Sequence, residues 1–156
     1  MSTTRTYRET ALGDVRSPQL ILRSIVAALN GRNISEAVAV FNNHFTFTDH
    51  ALGLAFNEKP RLTEFFQKSR ELFPDTVVTV TSTLESGNHA IAEWTLTATE
   101  VLHYAGSVNF RKPFSLPGIS VVEIEEARII RWSDYYDLAT SRRMALGAFF
   151  EEWIEL

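Results

Sequence analysis

The chain contains no cysteine, which removes disulfides, thiolate nucleophiles and cysteine-bound metal from its chemistry. No apolar run approaches the roughly 20 residues needed to cross a bilayer, and the opening MSTTRTYRETALGD has no apolar leader core. A cytoplasmic protein with no membrane partner is therefore expected. Positive charge is scarce: 15 Lys and Arg against 19 Asp and Glu give a formal net charge of -4. Without a basic stripe to neutralise phosphates, nucleic acid is not an expected partner. Phosphate loops, the G-x-S-x-G nucleophile elbow, zinc motifs and dinucleotide fingerprints are missing as well. His44 and His103 stand apart with no convergent third ligand, so neither a metal nor a cofactor is expected.

What remains is an ordinary globular composition, 45% hydrophobic and 12% aromatic, with Phe as the main aromatic, in 156 residues. That length suits one core-forming domain. Residues 1–16 are polar and aperiodic and read as a loose arm, leaving 17–156 as the domain. Ser17-Pro18 opens a helix that Gly31 stops. Asn33 and Glu36, in capping-box spacing, start a second, and Pro60 and Pro74 bracket a third. HFTFTDHALG, from His44, alternates as a short strand. From Thr76 the period becomes two, giving long strands with hairpin turns at ESGN and EEAR. AGSVNFRKPFSLPG, with two prolines, reads as a longer connection, and the tail SRRMALGAFFEEWIEL as a closing helix.

Helices first and an antiparallel meander afterwards predict an α+β fold, a curved sheet wrapped as a cone around three N-terminal helices. Strands of ten or more residues have to bend, and a bent sheet closed by helices leaves a cavity lined by alternate strand residues.

This element order, together with FTDHALGLAFNEKPRLTEFF and VVEIEEARIIRWSDYYDLAT, resembles the nuclear transport factor 2-like superfamily, and within it the SnoaL-like polyketide cyclase branch. The resemblance spans about residues 18–140 and implies a conical pocket and a homodimer through the convex sheet face. FTDHALG resembles the ketosteroid isomerase segment that carries the general base, which falls on Asp49. Ser120 stands where that isomerase has its oxyanion-donor acid, and the first helix lacks the isomerase Tyr. RWSDYYD resembles the RDYFD of limonene epoxide hydrolases, whose first Asp positions a nucleophilic water, which falls on Asp134; Thr95 and Thr97 occupy that set's Arg and Asp positions.

Asp49 and Asp134 are thus the candidate catalytic acids. Phe45, Phe47, Thr95, Thr97, His103, Ser120, Trp132 and Tyr136 are the candidate ligand contacts. Strand parity puts Ile130, Trp132 and Tyr136 on the pocket side with Asp134, and Ser133, Tyr135 and Asp137 on the other. It also groups Phe45 and Phe47 with Asp49, whose apolar setting would raise its pKa; a turn residue is the competing reading. With Thr95 inward, Trp94 falls outward, and Trp94, Leu96, Ile119, Val121 and Tyr135 would form an apolar dimer face. The expected function is binding of a small, largely apolar oxygenated ligand, with cofactor-free isomerisation, cyclisation or water addition as the implied chemistry. A non-catalytic binding or dimerisation module of the same fold is the alternative.

Overall fold

The computed structural model describes residues 17–104, 107–137 and 139. The expected N-terminal arm and the expected closing helix, residues 141–156, lie outside these residues. The elements run α1 (Pro18–Asn30), α2 (Ile34–Ala39), β1 (Phe41–Asp49), β2 (Leu54–Phe56), α3 (Lys59–Leu72), β3 (Val77–Ser86), β4 (His89–Tyr104), β5 (Ser107–Glu125) and β6 (Arg128–Tyr136).

The helix punctuation is where the sequence puts it. Ser17 is the N-cap residue of α1, Pro18 occupies its first turn and Gly31 follows its end. Asn33 caps α2 by accepting the Glu36 N–H at 3.2 Å, and its Nδ2 donates back to the Glu36 carboxylate at 2.6 Å. The α1 face carrying Ile21, Leu22 and Ile25 is buried together with Ala37, Leu62 and Phe65 of the other two helices.

The six strands form one curved, unclosed sheet in the order β2-β1-β6-β5-β4-β3. It is mixed rather than wholly antiparallel as expected, because β1 runs parallel to β6. Phe47 pairs with Trp132 and Asp49 with Asp134, so the two candidate acids are direct neighbours across adjacent strands. β2, which alternation over three residues is too short to announce, pairs with β1 through Phe47–Phe56.

The expected connection AGSVNFRKPFSLPG belongs almost wholly to β5. Its prolines are accommodated because β6 joins β5 only from Gly118 onward; Pro113 and Pro117 precede that point and pair with β4 alone. A proline is tolerated where one strand side carries no ladder.

Two register shifts set which residues face the helices. Between Glu123 and Ile124 the β5–β6 pairing skips Ile130, so Ile129, with 0% exposure, enters the core in place of the expected Ile130. Between Val80 and Ser82 the β3–β4 pairing skips Thr81. The core between sheet and helices is aromatic: Phe47 lies within 6.5 Å, centroid to centroid, of Phe41, Phe56, Phe65, Phe66 and Trp132.

Candidate functional site

A cavity of about 210 Å³ opens between the sheet and all three helices. Its walls are mostly apolar, from Ile25, Leu29, Phe47, Phe65, Phe66, Phe73, Leu96, Phe114 and Leu116. One polar group cluster sits on the β1, β5 and β6 side: Asp49, Ser120, Asp134 and Tyr136, with the Trp94 and Trp132 indoles.

Asp134 is the focus of this cluster. Its Oδ1 accepts the Trp132 indole N–H at 2.6 Å and the Ser120 hydroxyl at 2.5 Å. The Trp94 indole N–H in turn donates to Ser120 Oγ at 2.8 Å. An indole nitrogen can only donate, so the single Ser120 hydrogen is directed to Asp134. Among the described residues no hydrogen bond reaches Asp134 Oδ2, and the buried polar atoms without a partner are Ser17 Oγ and Glu100 Oε1, not this one. Enclosure in the apolar cavity pushes the Asp134 carboxyl up to about 7; the Ser120 bond opposes this, the Asp49 charge adds to it, and the Trp132 bond opposes it.

Asp49 is held differently. Its Oδ1 accepts the Leu52 N–H at 2.8 Å inside the β1–β2 turn, and its Oδ2 accepts the Tyr136 hydroxyl at 2.9 Å. Burial raises its pKa, while the Leu52 and Tyr136 bonds pull it down. Both oxygens are engaged: Asp49 faces the cavity and also closes the turn. Burial, then the Asp49 charge, raise the Tyr136 phenol, which stays protonated and donating.

Of the expected ligand contacts, Phe47, Ser120, Trp132 and Tyr136 line the cavity with both acids. Phe45 is buried against Phe41 at 5.0 Å and does not line it. Thr95 and Thr97 are corrected: Trp94, Leu96 and Ala98 take the inner face of β4, so the threonines face away and Thr97 is exposed. Trp94 inward is the matching correction, and it takes Leu96 with it. His103 lies on β4, with its side chain outside the description. Asp137 accepts the Ala139 N–H at 2.9 Å, away from the cavity. Among the described residues no three His, Cys, Asp or Glu side chains could together hold a metal ion, and no helix is long and apolar enough to cross a membrane.

Two residues escape sequence reasoning. Gly118 pairs with Trp94 on one side and Tyr136 on the other. A Cβ there would lie 2.2 Å from Trp94 Cη2, so the missing side chain is the space that the indole occupies on its way to Ser120. Arg70 of α3 also reaches the cavity wall, and only the helical spacing from Phe66 and Phe73 hints at it.

Comparison of the sequence with curated proteins gives no match. The fold is similar to IdmH from Streptomyces antibioticus, provisionally assigned as a polyketide cyclase, at TM-score 0.73 and 14% identity over 83% of this chain and 99% of that one. It is similar to a provisionally assigned SnoaL-like polyketide cyclase from Shewanella denitrificans at TM-score 0.71 and 14% identity, covering 83% and 97%. A hypothetical protein of ketosteroid isomerase-like fold from Catenulispora acidiphila, in complex with trimethylamine, gives TM-score 0.68 and 22% identity over 83% and 93%. Such low identities establish the fold, and a fold hosts many reactions. The model of the SnoaL-like domain matches residues 22–132, most of the chain, and the protein belongs to that family.

Proposed function

We propose that the protein binds a small, largely apolar oxygenated molecule in a conical pocket and carries out cofactor-free proton transfer on it, with Asp134 as the base. The observation that carries this is the Asp134 carboxyl, fixed through Oδ1 by Ser120 and Trp132, with Oδ2 left open and a pKa of about 7. A base poised near the working pH combines the ionised form with a useful driving force. Asp49, with both oxygens bonded, keeps a second charge beside it and orients Tyr136.

The donors narrow the reaction. Trp132, Ser120 and Tyr136 each give their hydrogen to a carboxylate, and Trp94 gives its own to Ser120. None is left for an oxyanion next to Asp134, in keeping with Ser120 standing where the isomerase has its oxyanion-donor acid. A carbanion formed here has to be stabilised by the substrate's own carbonyl groups. That favours an acidic C–H, as in a 1,3-dicarbonyl compound, and hence cyclisation or isomerisation over reactions that need an oxyanion hole.

The test is deuterium uptake from D2O at the acidic carbon of an aryl β-keto ester, followed by NMR. Asp134→Asn is expected to bind the ester as the native protein does and to lower exchange by roughly 100-fold to 10,000-fold. A variant that keeps the exchange rate ends the catalytic reading and leaves a non-catalytic binding module.

A further inference from the structure

We infer that the cavity has a second, cationic pole, centred on Arg70, that receives an anionic group of the ligand, a carboxylate in the simplest case. This rests on the cavity being a ligand site, and it names the ligand class more closely.

The two poles lie on different parts of the sheet. Asp49 and Asp134 are on β1 and β6, whereas Arg70 is held at the start of β3, where its Nη1 donates to the Thr76 carbonyl at 2.9 Å. Its Nη2 donates to the Leu29 carbonyl at the end of α1. β3 stands three strands beyond β6 in the sheet. At about 4.8 Å per strand, β6 and β3 are offset by about 14 Å across the sheet, the scale of a two- or three-ring molecule.

The Arg70 charge is not neutralised inside the protein. Among the described residues no carboxylate pairs with it, since the ion pairs join Arg61 and Lys68 to Glu64, and His89 and Arg131 to Glu123. Burial and then the Arg32 charge, which repels it, lower the Arg70 pKa. A guanidinium carries five N–H groups, and the two bonds to carbonyls leave three uncommitted. Arg70 is only partly buried, so its free donors can be hydrated at the apolar wall, and an anionic ligand oxygen would take the place of that water with a charge-assisted bond. The other polar groups on this wall are neutral: Asn30 bonds both backbone groups of Val78 with one amide N–H to spare, and Ser69 and Thr76 donate to Phe65 and Phe73. With the donors near Asp134 also committed, Arg70 is the cation of the cavity lining and the group suited to meet an anionic oxygen. A ligand with a carboxylate at one end, an apolar ring system and an acidic C–H at the other would satisfy both poles, and the acids at the far pole repel the reverse orientation.

The test is equilibrium binding of 2-naphthoate and its methyl ester, read by tryptophan fluorescence. The native protein is expected to prefer the carboxylate at least tenfold at low salt and to lose that margin as salt is raised; Arg70→Gln is expected to bind both alike. Equal binding by the native protein, or an undiminished preference in Arg70→Gln, overturns the inference. Because Arg70 also ties two carbonyls together, the native salt dependence serves as the test if Arg70→Gln fails to fold: a salt-independent preference overturns the inference equally. Binding of neither probe defeats the ligand-site reading along with it. Exchange is read at Asp134 and selectivity at Arg70, so loss of exchange in Asp134→Asn and loss of selectivity in Arg70→Gln report on the two poles separately.

Discussion

At the scale of single residues, the two acids illustrate how one sequence symbol acquires two roles from its surroundings. Asp134 concentrates its bonds on one oxygen, Asp49 spreads them over two, and only the first is left with an open acceptor. A pH prediction follows from the upward displacement at Asp134, from 3.8 to about 7. Folding favours the protonated form, so this contribution to stability is complete below about pH 4 and is lost as pH rises through about 7, by up to ~4 kcal/mol. Asp49, also raised, acts in the same direction. Thermal melts of the native protein should therefore fall between pH 5 and pH 8 by several degrees, and those of Asp134→Asn should fall much less. Parallel curves for the two proteins would contradict the assignment. Asp134 was legible beforehand because parity with Trp132 and Tyr136 holds along an unbroken stretch of β6. Its partner chain through Ser120 to Trp94 was not, because a hydrogen bond across three strands leaves no local pattern.

At the scale of elements, β4 shows where sequence reasoning and resemblance part. Ala90, Ala92, Trp94, Leu96 and Ala98 alternate with Glu93, Thr95, Thr97 and Thr99, and this pattern alone puts the even positions inside, as the structure does. Superposing the hydrolase Arg and Asp onto Thr95 and Thr97 shifts the strand by one residue and turns every side chain over. The helices were readable from their caps and prolines. The bulges at Thr81 and Ile130 were not, since a skipped residue is decided by the partner strand. Gly118 makes the inward Trp94 possible, and Gly118→Ala tests this. The added methyl would overlap the indole, so the ring has to leave or the strands have to part. The expected cost is about 1–3 kcal/mol, read as a lower melting temperature together with a changed near-ultraviolet dichroism spectrum as the Trp94–Ser120 bond is lost. An unchanged spectrum and melt would mean that the indole does not depend on this gap.

At the scale of the whole molecule, the outer face of the sheet raises the question of what covers it. The inward turn of Trp94 and Leu96 removes them from the apolar patch expected there, yet a strip remains. Leu84, Ile91 and Val121 pair across β3, β4 and β5, and Ile119 pairs with Tyr135 on β6. Leu84 is 69% exposed, Tyr135 44%, and Ile91 and Ile119 40% each. Tyr135 is steadied by stacking on His50 at 4.4 Å, so it offers a preset surface rather than a mobile side chain. We propose that a second copy of the chain covers this strip through a two-fold axis, since a self-complementary face is the simplest way to bury it. The cavity lies on the opposite side of the sheet, so pairing and ligand binding need not interfere. Light scattering at about 10 µM should give twice the 17.7 kDa chain mass. Ile119→Asp, which sets a charge on the strip at an exposed position outside the cavity lining, should give the single-chain mass with an unchanged far-ultraviolet spectrum and an intact preference for naphthoate. A native protein of single-chain mass would remove the dimer, and a dimer that survives Ile119→Asp would move its interface elsewhere; in both cases the cavity chemistry would stand, because none of its residues lies on this face.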